Sequence, residues 1–249
     1  MEILTVNLEE PLKKIGSGDE GVVYNYQNKY AIKILTGYKG FDQKRKLTRK
    51  ISKIEAMSSL KDPSYAFPKG LVTTNGYTIE GYYYPIVRTG KLKDFYSLEH
   101  QQNDEFVKRF LIKGDAALQR FHKMGGAVGD IKGNNILIDR DRNPVYIDTD
   151  NYLFQNYNFD LLPSRAGCFY SLYGGRALAF QENDKLLYAI MALKLLTKDM
   201  RFDYMSSAFE IEDALKELDV DSSTREQLKC IFSDAENKPY MGKILEKIR

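Results

Sequence analysis

A chain of 249 residues with 43% hydrophobic and 29% charged side chains has the proportions of a soluble globular protein, as one large domain or as two lobes sharing a cleft. The formal net charge of +3 is too small to argue for nucleic acid or a membrane surface as a partner. Cys168 and Cys230, with no CxxC pair and no His beside them, exclude a disulfide framework and a zinc site.

Met1 to Asn7 carries no basic stretch followed by an apolar core, and no apolar run reaches the ~18 residues of a membrane span. The expectation is a cytoplasmic protein with reduced thiols. In chain order, residues 10–35 read as β-structure: Leu12 to Ile15, a glycine turn, Val22 to Tyr26, a turn at Asn28-Lys29, then Tyr30 to Leu35. Alternating β-branched and aromatic residues predict a hairpin leading to a third strand. From Gln43 to Leu60 the residues Leu47, Ile51, Ile54 and Met57 recur at spacings of three or four, which predicts an amphipathic helix closed by Asp62-Pro63. The basic run from Lys44 to Lys50 reads either as a solvated helix face or as a docking surface for an acidic partner.

Strand-like runs at 70–74 and 77–87 flank an Asn75-Gly76 turn signal. Thr89-Gly90 then marks a break. The chain divides there into a β-rich lobe over 1–88 and a shortened helical lobe over 89–249, an α+β class. Glu105 to Met124 is amphipathic and ends at Gly125-Gly126. Residues 149–183 are irregular and rich in Tyr, Gly and Ser, and 152–173 would shape a substrate groove or simply pack. Asp184 to Thr197 is apolar and helical, with weaker helices at 208–217, 223–232 and 240–249. His100 and His122 stand alone and read as incidental.

Three segments carry chemistry. Gly16-Ser17-Gly18-Asp19-Glu20-Gly21-Val22-Val23 fits G-x-G-x-x-G-x-V. The glycines also mark dinucleotide folds, but there they lie between a strand and a helix. Strand-like residues on both sides suit a hairpin over nucleotide phosphates, where a missing Cβ lets backbone approach oxygen. Lys33, between apolar neighbours on a strand, is costly to bury unless an anion meets it, and the α/β-phosphates of ATP would supply one. Glu55, amid Ile54, Ala56 and Met57 on the following helix, would orient its ammonium.

The third segment is Gly129-Asp130-Ile131-Lys132-Gly133-Asn134-Asn135, leading into an apolar strand, a turn at 140–144 and a second strand that ends at Asp148. Asp130 would accept the substrate hydroxyl proton, and Lys132 would neutralise the transferring phosphoryl group. Asn135 and Asp148 would offer hard oxygens to Mg²⁺. The two strand ends open on the same side, so Asp130 and Asp148 are expected to converge.

In this order and combination the motifs resemble the eukaryotic-type protein kinase superfamily over roughly residues 10–200. The resemblance implies a bilobal kinase-like fold, ATP and Mg²⁺ as cofactors, and a nucleotide site that includes Gly16, Gly18, Gly21, Val23, Lys33 and Glu55. It also implies backbone near Ile86 and Val87 reading adenine, and Asp184 bracing the catalytic loop. The chain departs from the family where Val128-Gly129 replaces His-Arg, where Asp148-Thr149-Asp150 replaces Asp-Phe-Gly, and where no Ala-Pro-Glu follows. Activity is therefore not expected to wait on activation-loop phosphorylation, and Asp150 would add a metal ligand or cap a turn.

Lys132 resembles the Ser/Thr-kinase pattern, so the leading expectation is transfer of the ATP γ-phosphate to a protein Ser/Thr hydroxyl. The alternatives are a small-molecule kinase resembling aminoglycoside or choline kinases, favoured by Gly129-Asp130, and a non-catalytic kinase-like scaffold. Ser164 and Ser171 are candidate self-phosphorylation sites.

Overall fold

The computed structural model describes residues 1–7, 11–18, 20–36, 41–99, 104–155, 180–199, 202, 208–233 and 237–248. Asp19, His100, Ser164, Cys168 and Ser171 lie outside them, as does most of the Tyr-rich stretch. The chain forms two compact units, Met1–Arg88 with Ile147–Asp150, and Thr89–Tyr146 with Asn151–Arg249.

The first unit is built on a mixed six-stranded sheet. Its strands are β1 (Glu2–Thr5), β2 (Lys13–Gly18), β3 (Gly21–Tyr26), β4 (Tyr30–Leu35), β5 (Gly70–Thr73) and β6 (Ile79–Pro85), in the order β1-β5-β6-β4-β3-β2. Only the β1–β5 pair is parallel. The β3–β4 turn places Gln27 and Asn28 at φ of 54° and 53°, the left-handed pair that a tight hairpin with native twist requires. The Asn25 side chain accepts from the Asn28 N–H at 2.9 Å and fixes that turn. Asn75 does the same after β5, taking the N–H groups of Tyr77 and Thr78 at 2.9 Å each.

Period-two alternation gives the sheet two faces. On one, Ile32, Val72 and Tyr83 pack with Val6; on the other, Leu71, Tyr82 and Tyr84 pack with Ile54 of helix α1 (Phe41–Ser58). Lys33 belongs to the α1 face. Strand register lines up Gly16, Val23, Lys33, Tyr82 and Leu71 across five strands on that face.

In the second unit β7 (Thr89–Asp94), β8 (Ile136–Asp139) and β9 (Pro144–Tyr146) form a small antiparallel sheet. Helices α2 (Asp104–Lys123), α3 (Phe180–Thr197), α4 (Ala208–Lys216), α5 (Ser222–Phe232) and α6 (Met241–Leu245) complete it. Eleven residues of α3, from Asp184 through Leu195, are buried, so this helix runs through the interior and needs no polar face. Helix α2 stops where Gly125 takes a φ of 79°. Its buried Asp115 reaches the start of α6 and accepts the N–H groups of Met241 and Gly242 at 3.0 Å each. Among the described residues no helix is long and apolar enough to cross a membrane.

The three loop glycines differ in what they are needed for. A Cβ on Gly21 would stand 2.2 Å from the Ile34 carbonyl oxygen, so β3 and β4 approach too closely for any side chain there. Among the described residues a Cβ on Gly18 would meet nothing within 4 Å, and one on Gly16 only Val23 at 3.8 Å. Gly21 is a packing glycine. Gly21→Ala is therefore expected to cost about 1–3 kcal/mol of stability by overpacking, while Gly18→Ala leaves stability nearly unchanged; urea denaturation of both variants measures the difference.

Candidate functional site

Within the first unit the Lys33 ammonium meets three carboxylates: Asp150 at 3.0 Å, Asp148 at 3.1 Å and Glu20 at 3.3 Å. A second ammonium, from Lys50 on α1, lies 2.8 Å from Asp150 and 3.0 Å from Glu20. Asp150 is wholly buried and also accepts hydrogen bonds from the hydroxyls of Tyr82 and Tyr84. Four donors therefore converge on one carboxylate. Burial pushes the Asp150 carboxyl up, but Lys33 and Lys50 outweigh it and hold the group well below the usual carboxylate range.

The partners follow suit. Burial and the Asp150 charge push the Tyr82 and Tyr84 hydroxyls well above the ordinary phenol value, so both are neutral donors. Burial pulls the Lys33 ammonium down, and Asp150, Asp148 and Glu20 more than reverse that. Asp148 differs from Asp150: 38% of its side-chain surface is open to solvent. Its φ of 59° is uncommon for a non-glycine residue and turns the chain sharply between Ile147 and Thr149. Burial and the Asp150 charge raise its carboxyl, against the pull of Lys33.

The structure thus brings Lys33 and Asp148 together across 115 residues of sequence. Glu55 is not with them. It is exposed on α1, and the carboxylates that meet Lys33 come from the hairpin tip and from 148–150 instead. The reason lies in helix phase: among the described side chains of α1 the buried ones are Lys50, Lys53, Ile54 and Met57, and Glu55 falls on the opposite side of that stripe. The solvated reading of the basic run holds for Arg45, Lys46 and Arg49, which are exposed, and fails for Lys50, which is 1% exposed. The Ile86 N–H donates to the Lys29 carbonyl at 3.0 Å and so is not itself available to an adenine ring. Val87 is half-buried beside it.

The second unit holds the Asp130 loop, between α2 and β8. Asp184 of α3 accepts the backbone N–H of Val128 at 2.6 Å and of Gly129 at 2.7 Å, and Gly129 adopts a φ of 76° that favours glycine. His122 lies 2.9 Å from the same carboxylate through Nε2 and 2.8 Å from the Tyr240 hydroxyl through Nδ1. Far from incidental, His122 links the end of α2 to the loop's anchor. Asn135 donates its amide to the Asp130 carbonyl at 3.0 Å and to Asp130 Oδ2 at 3.2 Å. The Lys132 ammonium lies 2.5 Å from that same Oδ2. Asp130 Oδ1 is buried and has no hydrogen-bond partner among the described residues.

Each unit, taken by itself, offers a hard oxygen of the kind magnesium takes. In the second, Asn135 commits its NH₂ group to Asp130 and so presents its amide oxygen; in the first, Asp148 is more open than Asp150. Among the described residues no three His, Cys, Asp or Glu side chains are grouped to hold a metal on their own. Any Mg²⁺ would take its remaining ligands from water or phosphate oxygens. Comparison with protein-family models and with curated proteins returned no match.

Glu20, Lys50, Tyr82 and Tyr84 were the residues sequence reasoning missed. Tyr82 and Tyr84 carry a legible signal, since period two places them on the Lys33 face. Lys50 carries another, a charge on the apolar stripe of an amphipathic helix.

Because the Asp150 carboxyl is depressed in the folded chain, its contribution to stability is complete above the unfolded-state value of about 4 and is lost as pH falls through the lower folded value. Asp150→Asn is expected to lower the unfolding free energy by about 3–5 kcal/mol at neutral pH. Urea denaturation should show a constant gap to wild type between about pH 6 and 8 that closes below about pH 4.

Proposed function

We propose that the chain is a protein-kinase-like phosphotransferase that uses ATP and Mg²⁺ to phosphorylate Ser or Thr hydroxyls of a protein. The observation that carries this reading is the Asp130 loop. One carboxylate oxygen is engaged by Lys132 and Asn135 while the other has no hydrogen-bond partner among the described residues, on a backbone pinned by Asp184. An unfilled carboxylate oxygen on a fixed loop is what a substrate hydroxyl needs as its proton acceptor.

In this reading Asp130 orients the hydroxyl and takes its proton late in the transfer. Lys132, already at the same carboxylate, offsets charge on the transferring phosphoryl group. Lys33 holds the α/β-phosphates, and the missing side chains at Gly16 and Gly18 let the hairpin backbone approach phosphate oxygens. Val23, level with Lys33 on the same sheet face, supplies apolar surface for the nucleotide base. Asn135 and Asp148 each carry a hard oxygen for Mg²⁺, which when bound neutralises phosphate charge. The cluster of Lys33, Asp148 and Asp150 and the bracing of Val128-Gly129 by Asp184 both weigh against an inert scaffold, because each holds reactive groups at a cost in buried charge.

Labelled ATP offered with generic protein substrates, and separately with amino-alcohols and aminoglycosides, tests the proposal. Wild type is expected to label protein Ser or Thr; label on the small molecules alone would remove the protein substrate. Asp130→Ala should lower turnover by about 10²–10⁴-fold while leaving ATP binding intact. Lys33→Ala should weaken both binding and rate. Wild-type turnover in Asp130→Ala would overturn its assignment as proton acceptor.

A further inference from the structure

Two buried lysines share two carboxylates, and the pair Glu20 and Asp150 differ in how firmly each is held. Asp150 is wholly buried and tied by two tyrosine hydroxyls on β6 as well as by both lysines. Glu20 stands in the turn between β2 and β3, its side chain 10% exposed. Its main chain is anchored separately, with the Glu20 carbonyl accepting the Thr36 N–H at 2.9 Å. The Glu20 main chain is thus held by a contact separate from those its carboxylate makes with the lysines.

We propose that Lys33 and Lys50 form a two-cation phosphate clamp standing on Asp150, and that Glu20 is its resident anion, displaced when a triphosphate enters. The proposal rests on the nucleotide reading of this site and adds a phosphate-binding residue, Lys50, and a competitor, Glu20. Glu20 contacts both ammoniums, through Oε2 at 3.3 Å from Lys33 and 3.0 Å from Lys50, with Oε1 3.2 Å from Lys50. A carboxylate bridging two cations occupies the position that a phosphate oxygen pair would take. A triphosphate carries more charge than one carboxylate, so exchange is favoured when it arrives, and two lysines are not left unpaired when it departs.

The opposing possibility is that Glu20 orients Lys33 for the nucleotide and stays in place. The two predict opposite signs. Equilibrium binding of MgATP, inorganic tripolyphosphate and adenosine to the full chain, by calorimetry, distinguishes them. Under the clamp, Glu20→Gln binds MgATP and tripolyphosphate about tenfold more tightly, the worth of one charge-assisted contact, and adenosine unchanged. Lys50→Met binds both phosphate ligands about tenfold more weakly.

Unchanged or weaker phosphate binding in Glu20→Gln overturns the proposal, and that variant alone decides it if Lys50→Met fails to fold. Wild type that binds MgATP with both substitutions silent overturns the clamp and leaves the nucleotide reading standing. Absence of MgATP and tripolyphosphate binding in every form overturns both.

Discussion

The first unit depends on a carboxylate that water does not reach. Taking Asp150 out of solvent costs several kcal/mol, and only a full set of donors offsets that. The set is drawn from three places in the sheet and helix: Lys33 from β4, Lys50 from α1, and the Tyr82 and Tyr84 hydroxyls from β6. One residue therefore sets the position of three elements. It also accounts for the membership of Ile147–Asp150 in a unit otherwise made of the first 88 residues, a placement reinforced where the Thr149 hydroxyl donates to the Ala66 carbonyl at 2.9 Å.

Two further buried aspartates solve the same problem with different donors. Asp184 is met by the N–H groups of Val128 and Gly129 and by His122; Asp115 is met by the N–H groups of Met241 and Gly242 and by Gln119 at 2.7 Å. Backbone donors fix a loop or a helix start without bringing a second charge into the interior. Burial nonetheless pushes the Asp115 carboxyl up, so its N–H donors do not fully offset desolvation. Asp150 alone is paired with ammoniums, and ammoniums are groups that another anion can recruit. A carboxylate satisfied by N–H groups organises structure; one satisfied by lysines also gathers positive charge beside it.

What was legible in the sequence follows from range. The β2–β3–β4 meander, α1, α2 and α3 were readable because each has a local period, and the turn at 75–76 because Asn and Gly have local conformational preferences; the turn read at Asn28-Lys29 lies one residue earlier, with its left-handed pair at Gln27 and Asn28. Strand β1 was not, since Glu2–Thr5 is four residues long and owes its existence to a parallel partner almost 70 residues later. Strand β7 was hidden for a similar reason, its Gly90 and lysines reading as a break. Lys33 and Asp148 were identifiable as a pair of types, and the structure sets them 3.1 Å apart. Glu55 misled because a carboxylate flanked by apolar neighbours looks buried until helix phase is counted, and phase puts Lys50 inward and Glu55 outward.

That exchange of signs on α1 alters how the site is controlled. Were a helix carboxylate to orient Lys33, any rotation or shift of α1 would misplace the ammonium. Here none of the three carboxylates on Lys33 comes from α1: Glu20 belongs to the hairpin, and Asp148 and Asp150 to the segment after β9. The helix contributes a cation instead, and that cation is held by the same Asp150 and Glu20. Moving α1 would remove half of the positive charge while leaving Lys33 anchored. A shift of α1 would thus change how much positive charge stands beside Asp150 rather than move Lys33 in and out of position.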